Sequence, residues 1–288
     1  MGLEQLKSDN ISGASEIFER TAEYWLQEIS EMDPAHLRRG LHQLRQRGLF
    51  IISMQPRMAP LFNLVNHVLL AASQAASVQE LKDNSAAVIK NALQENSRAK
   101  SKIADLCAEL VSGNSTIGMH SRSSLVLFVC KTLVEKNIHL KIVLTESRPM
   151  NEGMSLAQEF AEHEIPITFV VDAAMAELIK RSDLIFVGAD TFSTSFVVNK
   201  IGTKALALLA KESKTPIYSI TTSDKYVPEE IQVEDEQDHG KDEVWPDCPE
   251  HVTVWNKYFE ETPVELFTGI ITERGVFKAK ELCFFRTL

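Results

Sequence analysis

The chain is poor in cysteine: there are four among 288 residues, and none of them shows the close spacing of a metal site or a disulfide framework. Cys107 and Cys130 fall inside apolar helical patterns, and Cys248 and Cys283 stand alone. Such usage is typical of a reducing compartment. We therefore expect a cytoplasmic protein without disulfides or structural zinc, and we predict no metal ion and no cofactor.

Long apolar runs are also lacking. The longest uncharged stretch, residues 58–79, is interrupted by seven polar or helix-breaking residues: Pro60, Asn63, Asn66, His67, Ser73, Gln74 and Ser77. A lipid-facing helix cannot hold that many polar groups. The first ten residues do not show the basic and then apolar pattern of a signal peptide. We expect no contact with a membrane.

Positive charge is in deficit, with 30 Lys and Arg against 40 Asp and Glu and a formal net charge of -10. Phosphate-rich partners require an excess of cations, so a general nucleic-acid surface or an anionic-membrane surface is excluded. The acid is concentrated between Glu229 and Glu243, where eight carboxylates face one Lys241, a net charge of -7. A solvated loop is the simplest explanation of this acidic tract.

The first part of the chain has the pattern of successive helices. Ser12 can cap a helix that runs to about Ser30, and Asp33-Pro34 begins another that ends before Gly48. Segments 58–76 and 81–111 follow, the second with apolar residues at helical spacing before Gly113. These patterns predict a helical N-terminal domain over residues 1–112.

After Gly113 short apolar runs alternate with amphipathic segments, which predicts an α/β fold with a Rossmann-like, mostly parallel sheet over residues 113–288. The predicted strands are 116–119, 141–146, 167–172, 184–189, 217–222, 252–255 and 269–272. The predicted helices between them are 123–135, 154–162, 173–180 and 203–212. Folds of this class bind ligands at the carboxyl ends of the strands.

Polar residues follow three of these strands. The first strand leads into a short loop, Gly118 to Ser124, that opens a helix whose amides can receive phosphate. Arg148 follows the second strand and offers a bidentate guanidinium. Asp190 follows the fourth, with Asn199-Lys200-Ile201-Gly202-Thr203 downstream. Together these groups predict a site for a polyhydroxylated, phosphorylated ligand.

Each of these residues can also have a purely structural role. The residues alone do not decide between that role and ligand binding. Asp190 can simply cap a turn, and Arg148-Pro149 can simply hold a loop. Gly202 can simply allow the next helix to begin.

Three motifs, Thr145-Glu146-Ser147-Arg148-Pro149, Gly188-Ala189-Asp190 and Asn199 to Thr203, resemble in order and spacing those of a known superfamily. It joins the alpha, beta and delta regulatory subunits of initiation factor 2B to isomerases of ribose-1,5-bisphosphate and methylthioribose-1-phosphate. The closing stretch, from Trp245-Pro246 to Glu273-Arg274-Gly275, resembles the archaeal ribose-1,5-bisphosphate isomerases. The similarity covers essentially the whole chain.

The resemblance implies roles for individual residues. The isomerases use an aspartate, which matches Asp190, and contact substrate through residues that match Asn199 and Lys200. They also use a cysteine in the loop after the first strand of the C-terminal domain, and we assign its place to Met119. A thioether cannot act as acid, base or nucleophile. Cys130 cannot replace it, because it lies eleven residues further along and about 10 Å or more from the loop.

Two phosphate-holding arginines of the enzymes are also replaced, by Ser12 before Gly13-Ala14 and by Gln55 before Pro56. The regulatory subunits lack the cysteine too, and their Ser-Arg resembles Ser121-Arg122, although they commonly carry Glu where this chain has Asp190. The sequence thus combines features of both groups.

We therefore expect an initiation factor 2B-related, cytoplasmic protein that binds a phosphorylated sugar or nucleotide and has lost or altered the isomerase reaction. The alternatives are a working aldose-phosphate to ketose-phosphate isomerase and a translation-factor scaffold for protein contacts. Asp190 and His120 are the predicted catalytic residues. The predicted ligand contacts are Gly13, Ala14, Gly118, Met119, Ser121, Arg122, Arg148, Asn199 and Lys200.

The predicted partners are a pentose phosphate or nucleoside monophosphate and a second copy of the chain, without direct nucleic-acid contact. The resemblance implies a homodimer formed through the C-terminal domain. The apolar closing segment, with Phe267, Phe277, Phe284 and Phe285, could supply the interface, although packing in the core explains it equally well.

Overall fold

The computed structural model describes residues 14–54, 58–229 and 238–287. The chain divides into two compact units, residues 1–99 and residues 100–288. The division lies inside a long helix, whereas the change of sequence pattern placed the domain boundary at residue 112. Periodicity locates the end of a helix, but the packing partners of each turn decide to which unit that turn belongs.

The first unit is helical. It contains α1 (Ala14–Glu31), α2 (Leu37–Met54), α3 (Ala59–Ser73) and most of α4 (Val78–Leu110). Their apolar faces share one core, which includes the fully buried Trp25, Leu44 and Leu61. Burial of one apolar stripe from each helix is what holds such short helices in place.

The second unit is an α/β domain whose elements alternate along the chain. Its strands are β1 (Ser115–Met119), β2 (Leu140–Thr145), β3 (Ile167–Val170), β4 (Leu184–Val187), β5 (Thr191–Phe192), β6 (Phe196–Lys200), β7 (Ile217–Ile220), β8 (Phe259–Pro263), β9 (Gly269–Thr272) and β10 (Gly275–Phe277). Its helices are α5 (Ser124–Glu135), α6 (Glu152–Glu162), α7 (Met175–Arg181) and α8 (Thr203–Ser213).

The main sheet has seven strands in the order β10-β9-β7-β4-β1-β2-β3. All neighbours are parallel except the β9–β10 pair. One face packs on α5, α6 and the end of α4, and the other packs on α7 and α8. The mostly parallel sheet covered on both faces confirms the predicted α/β fold class.

A second sheet was not predicted. The strands β5, β6 and β8 form a small antiparallel sheet in the order β5-β6-β8. It carries Asn199 and Lys200 on β6 and therefore positions part of the predicted site. The prediction of a strand at Val252–Trp255 is wrong, because this segment has no regular secondary structure. Its apolar residues are mostly exposed rather than buried in a sheet.

Phe267 and Phe285 are buried in the core of the second unit, and Phe277 packs against the same core. The rings of Phe277 and Phe285 lie 5.1 Å apart in an edge-to-face arrangement. Phe284 lies outside the residues whose side chains the structure describes. Among the described side chains of the closing segment, these three phenylalanines therefore serve core packing.

Candidate functional site

Met119 ends β1, but its side chain lies in the apolar core and is 1% exposed. Gly118 faces the opposite side of the sheet, where an added Cβ would lie 2.7 Å from Leu178 Cδ2 of α7. Both residues are thus used for packing of the sheet, and neither placement supports the predicted contact with a ligand. Ser121, two residues further on, is partly exposed in the loop itself and has a φ of 70°.

His120 is buried beneath this loop and uses both ring nitrogens within the protein. Nδ1 lies 2.6 Å from Thr145 Oγ1, and Nε2 lies 2.8 Å from the carbonyl oxygen of Ile201. A carbonyl only accepts, so Nε2 carries the proton. Burial lowers the pKa of His120, despite opposing contributions from Ile201 and Asp172. A neutral imidazole that accepts from the Thr145 hydroxyl fits this arrangement.

The loops after β1, β2 and β3 are joined by side-chain hydrogen bonds. The Ser121 amide donates to Ser147 Oγ at 2.8 Å. Asp172 accepts from the amides of Ser147 and Arg148 at 2.9 and 2.7 Å. Asp172 thus fixes the loop that carries Arg148. The guanidinium of Arg148 remains exposed and donates from Nη2 to the carbonyl of Val244 at 3.0 Å.

The turn after β4 brings Asp190 to the same edge of the sheet. Its amide donates to Val198 O at 2.9 Å, which ties the turn to β6. An added Cβ at Gly188 would lie 2.8 Å from Ser123 Oγ and 3.9 Å from Asn199 Oδ1. Glycine at this position therefore lets the β1 loop and the end of β6 approach each other closely.

Lys200 forms an ion pair with Glu152 in the interior of this edge. Their side chains are 1% and 9% exposed. The ammonium also lies 5.0 Å from the centre of the Tyr258 ring and 5.7 Å from that of Phe259. Glu152 Oε2 is buried and accepts no hydrogen bond from the described residues. Burial raises the pKa of Glu152, while Lys200 opposes that rise.

Lys225 is a second buried lysine at this edge. It follows β7 and donates from Nζ to Ala189 O at 2.7 Å, next to Asp190. Burial lowers the pKa of Lys225, whereas the carboxylates of Asp190 and Asp224 act to raise it. Burial also raises the pKa of Asp224. The interior of the site therefore contains both acidic and basic side chains, and burial disfavours the charged forms of Glu152, Asp224 and Lys225.

Two of the helices that begin at this edge, α5 and α8, differ in their capacity for an anion. At α8 the amides of Gly202 and Lys204 donate to Glu260 Oε1 at 2.7 and 2.9 Å. A carboxylate therefore already occupies that N-terminus. At α5 Ser123 Oγ accepts from the Val126 amide at 3.3 Å. The preceding amides of this turn have no intrahelical acceptor, so α5 is the better receptor for phosphate.

The structure thus brings five predicted residues to one edge of the sheet: Ser121, Arg148, Asp190, Asn199 and Lys200. Arg122 donates from Nε to Glu159 Oε1 of α6 at 2.7 Å. Gly13, Ser12 and Gln55 lie outside the described residues, as does the side chain of Ala14. The assignment of roles to all of these residues stays a prediction.

Sequence reasoning missed Glu152 and Lys225. Glu152 begins α6 only four residues after Arg148, and an acid in the first turn of a helix is so common that it carries no signal. Lys225 follows β7 in the same way as the predicted residues follow their strands, and this position could have revealed it.

The thiols do not offer a nucleophile at this edge. Cys107 and Cys130 are fully buried in the apolar core, and burial raises the pKa of Cys107 to about 12 and that of Cys130 further. Cys248 is half-buried in the segment before β8, and Cys283 lies near the chain end. In the described residues no group of three His, Cys, Asp or Glu side chains could hold a metal ion. No described helix is both long and apolar enough to cross a membrane.

The fold and this edge define the class: a Rossmann-like α/β protein with polar and ionisable residues gathered at the carboxyl ends of its strands. Residues 10–279 match the model of the Initiation factor 2 subunit family. The chain belongs to this family, which confirms the resemblance found in the sequence.

Two relatives illustrate the range of the family. Ribose 1,5-bisphosphate isomerase of Thermococcus kodakarensis is 29% identical, over 95% of this chain and 88% of that protein. A putative translation initiation factor eIF-2B subunit 2-like protein of Pyrococcus furiosus is 31% identical, over 95% of this chain and 94% of that protein.

Two solved structures have a similar fold. Translation initiation factor eIF-2B of Pyrococcus horikoshii OT3 superimposes with a TM-score of 0.81 at 28% identity, covering 96% of this chain and 95% of that one. 5-Methylthioribose 1-phosphate isomerase from the same organism has a TM-score of 0.82 at 22% identity, and the match covers 99% of this chain and 86% of that one. The latter shares the fold.

Proposed function

We propose that the chain binds a phosphorylated sugar or nucleotide at the carboxyl edge of its main sheet and has lost the isomerase reaction of its relatives. The observation that carries this proposal is the buried Glu152–Lys200 pair beside Asp190 and Asn199. Buried charges are costly, and folding alone rarely requires them. A ligand with hydroxyl groups would give the open oxygen of Glu152 a hydrogen-bond donor.

Phosphate would bind at the rim of the same edge. The first-turn amides of α5 and the exposed guanidinium of Arg148 are the groups best suited to an anion there. Inside the edge Glu152 already compensates Lys200, so a dianionic phosphate would meet the carboxylates of Glu152 and Asp190. This arrangement favours a pentose phosphate or nucleoside monophosphate bound with its sugar inside and its phosphate outside.

The loss of isomerase chemistry follows from the loop after β1. Because Met119 lies in the core, we now propose Ser121 as the residue in place of the enzymes' cysteine. A serine hydroxyl needs an adjacent base to become a nucleophile. The nearest imidazole, His120, has both nitrogens hydrogen-bonded elsewhere. Asp190 would then orient ligand hydroxyls rather than transfer protons.

A working isomerase is the second candidate, and the identity to ribose 1,5-bisphosphate isomerase over nearly the whole chain favours it. The resemblance in the sequence matches Asp190, Asn199 and Lys200 to residues that those isomerases use. In that case Asp190 would act with a group other than a thiol. The scaffold alternative is favoured by the eIF-2B subunit 2-like relative. We propose the cytoplasm as the compartment in each case.

We also propose a homodimer through the second unit, with β3 at the interface. This edge strand exposes Phe169 and the adjacent Val171, which are 42% and 53% exposed. An apolar edge strand is a ready template for pairing with another chain. A symmetric contact of two such strands would close the edge in each copy.

Mass spectrometry of small molecules released from freshly purified protein tests the binding proposal, followed by thermal shift with the ligand class found. A ligand at about 100 times its dissociation constant should stabilise the fold by about 2.7 kcal/mol. Asn199→Ala should abolish that shift, whereas Lys180→Met, which removes an exposed charge on α7, should preserve it. No released ligand and no shift with pentose phosphates or nucleoside monophosphates would refute the proposal.

A further inference from the structure

The segment before β8 exposes an unusual set of apolar side chains. We name residues 238–258 the tryptophan loop. Trp255 is 65% exposed and Trp245 47%, and Val252 and Val244 are 45% and 39% exposed. Tryptophan is the side chain that most often dominates a protein interface, and two of the three in this chain lie in this loop.

Internal contacts fix the backbone of the tryptophan loop. Asn256 Nδ2 donates to Gly240 O at 2.9 Å and to Glu243 Oε2 at 2.7 Å. The Tyr258 hydroxyl donates to Glu243 Oε1 at 2.6 Å, and the His239 ring stacks on the Tyr258 ring at 3.5 Å. These contacts bring the two ends of the loop together. The exposed tryptophans therefore extend from an organised support.

The loop is also acidic. It contains five carboxylates, those of Asp238, Asp242, Glu243, Asp247 and Glu250, against two lysines. Lys257 pairs with Asp238 at 2.9 Å, so the cation is already neutralised. With a net charge of -10, a second copy of the chain would meet this surface with like charge. A basic partner would meet it with opposite charge.

We infer that the tryptophan loop is a docking surface for a protein segment that carries lysine or arginine together with apolar side chains. The apolar side chains of the segment cover Trp245 and Trp255, and its cations face Asp247 and Glu250. Burial of aromatic anchors within an acidic rim supplies both affinity and selection by charge.

The tryptophan loop borders the candidate site, because Arg148 Nη2 donates to Val244 O and the Lys200 ammonium lies 5.0 Å from the centre of the Tyr258 ring. Its exposed Trp245 and Trp255 are nevertheless distinct from the buried Glu152–Lys200 pair.

Fluorescence anisotropy of a fluorescein-labelled peptide of lysine and leucine, added to the full chain, tests this inference. A glutamate and leucine peptide of equal length should not bind. The double variant Trp245→Ser with Trp255→Ser should weaken binding of the basic peptide at least about tenfold. Leu208→Ser with Leu209→Ser, which alters two exposed apolar residues of α8, should leave binding unchanged.

A second pair of variants isolates the charge. Asp247→Asn with Glu250→Gln should weaken binding by about threefold or more, whereas Glu135→Gln with Glu212→Gln, equal in charge and elsewhere on the surface, should not. Equal binding by wild type and both tryptophan-loop variants would overturn the inference. So would conversion of a wild-type dimer to a monomer by the tryptophan substitutions, because a second copy would then occupy the surface. Unchanged thermal unfolding of each variant verifies its fold.

Discussion

Glu152 and Lys200 form an ion pair that is almost wholly buried at the carboxyl edge of the main sheet. Replacement of Lys200 by methionine leaves the Glu152 carboxylate buried without its counter-ion, which typically costs about 3–5 kcal/mol. We predict a loss of that size in the free energy of unfolding of Lys200→Met, measured by urea denaturation. The double variant Lys200→Met with Glu152→Gln should recover most of the loss. If the double variant lost as much free energy of unfolding as the two single variants together, the result would contradict the ion pair.

The stability of the protein should depend on His120 between about pH 7.5 and pH 5. Burial places the pKa of His120 below its ordinary value, so the unfolded chain binds a proton at a pH where the folded chain does not. The free energy of unfolding should therefore fall as the pH decreases through about 6.5, by up to about 1.4 kcal/mol per pH unit.

His120→Gln should remove this part of the pH dependence, while His163→Gln, an exposed histidine after α6, should retain it. Denaturation curves at several pH values provide the comparison. A pH dependence that is the same in wild type and His120→Gln would show that His120 is not held neutral.

Gly202 is required both for its backbone conformation and for space. Its φ is 102°, and an added Cβ would lie 2.8 Å from His120 Nε2. Gly202→Ala should lower the free energy of unfolding by about 1–3 kcal/mol. Gly113→Ala is the matched control, since an added Cβ there meets nothing within 4 Å. It should change stability by less than about 1 kcal/mol. Equal effects of the two substitutions would rule out this role.

The homodimer should depend on β3. Light scattering should give twice the chain mass of 32.3 kDa for the wild type, and Phe169→Lys should give a monomer. Leu208→Lys, which places a similar charge on α8, should remain a dimer. A monomeric wild type at micromolar concentration would exclude the proposed interface.

Much of the fold could be predicted from the sequence, because buried parallel strands leave continuous apolar runs. The last of the parallel strands, Gly269–Thr272, was predicted with the bounds that the structure shows. The small sheet was missed since β5 has two residues and β6 overlaps the motif at Asn199-Lys200. Val252–Trp255 satisfied the pattern of a strand, but only tertiary packing determines whether an apolar run is buried.

The site could be predicted less completely. The rule that ligand groups follow strands selected Arg148, Asp190 and Lys200, which the structure places at one edge of the sheet, and their roles stay predictions. It could not tell which side of the sheet a residue faces at the last strand position, and so it assigned Met119 to the loop instead of the core. Nor could it reveal Glu152. This residue belongs to the candidate site only through its ion pair with Lys200, which lies 48 positions later in the sequence.

Phosphorus NMR of ribose-1,5-bisphosphate mixed with an equal amount of protein tests the central claim most directly, because one spectrum reports both binding and turnover. We predict shifted or broadened phosphate signals that persist for hours without new resonances, and unperturbed signals with Asn199→Ala. Ser121→Cys, which places a thiol in the loop, is the variant in which slow conversion should begin. Product resonances with the wild type would contradict the loss of isomerase chemistry, and sharp, unshifted signals would contradict binding of this ligand class.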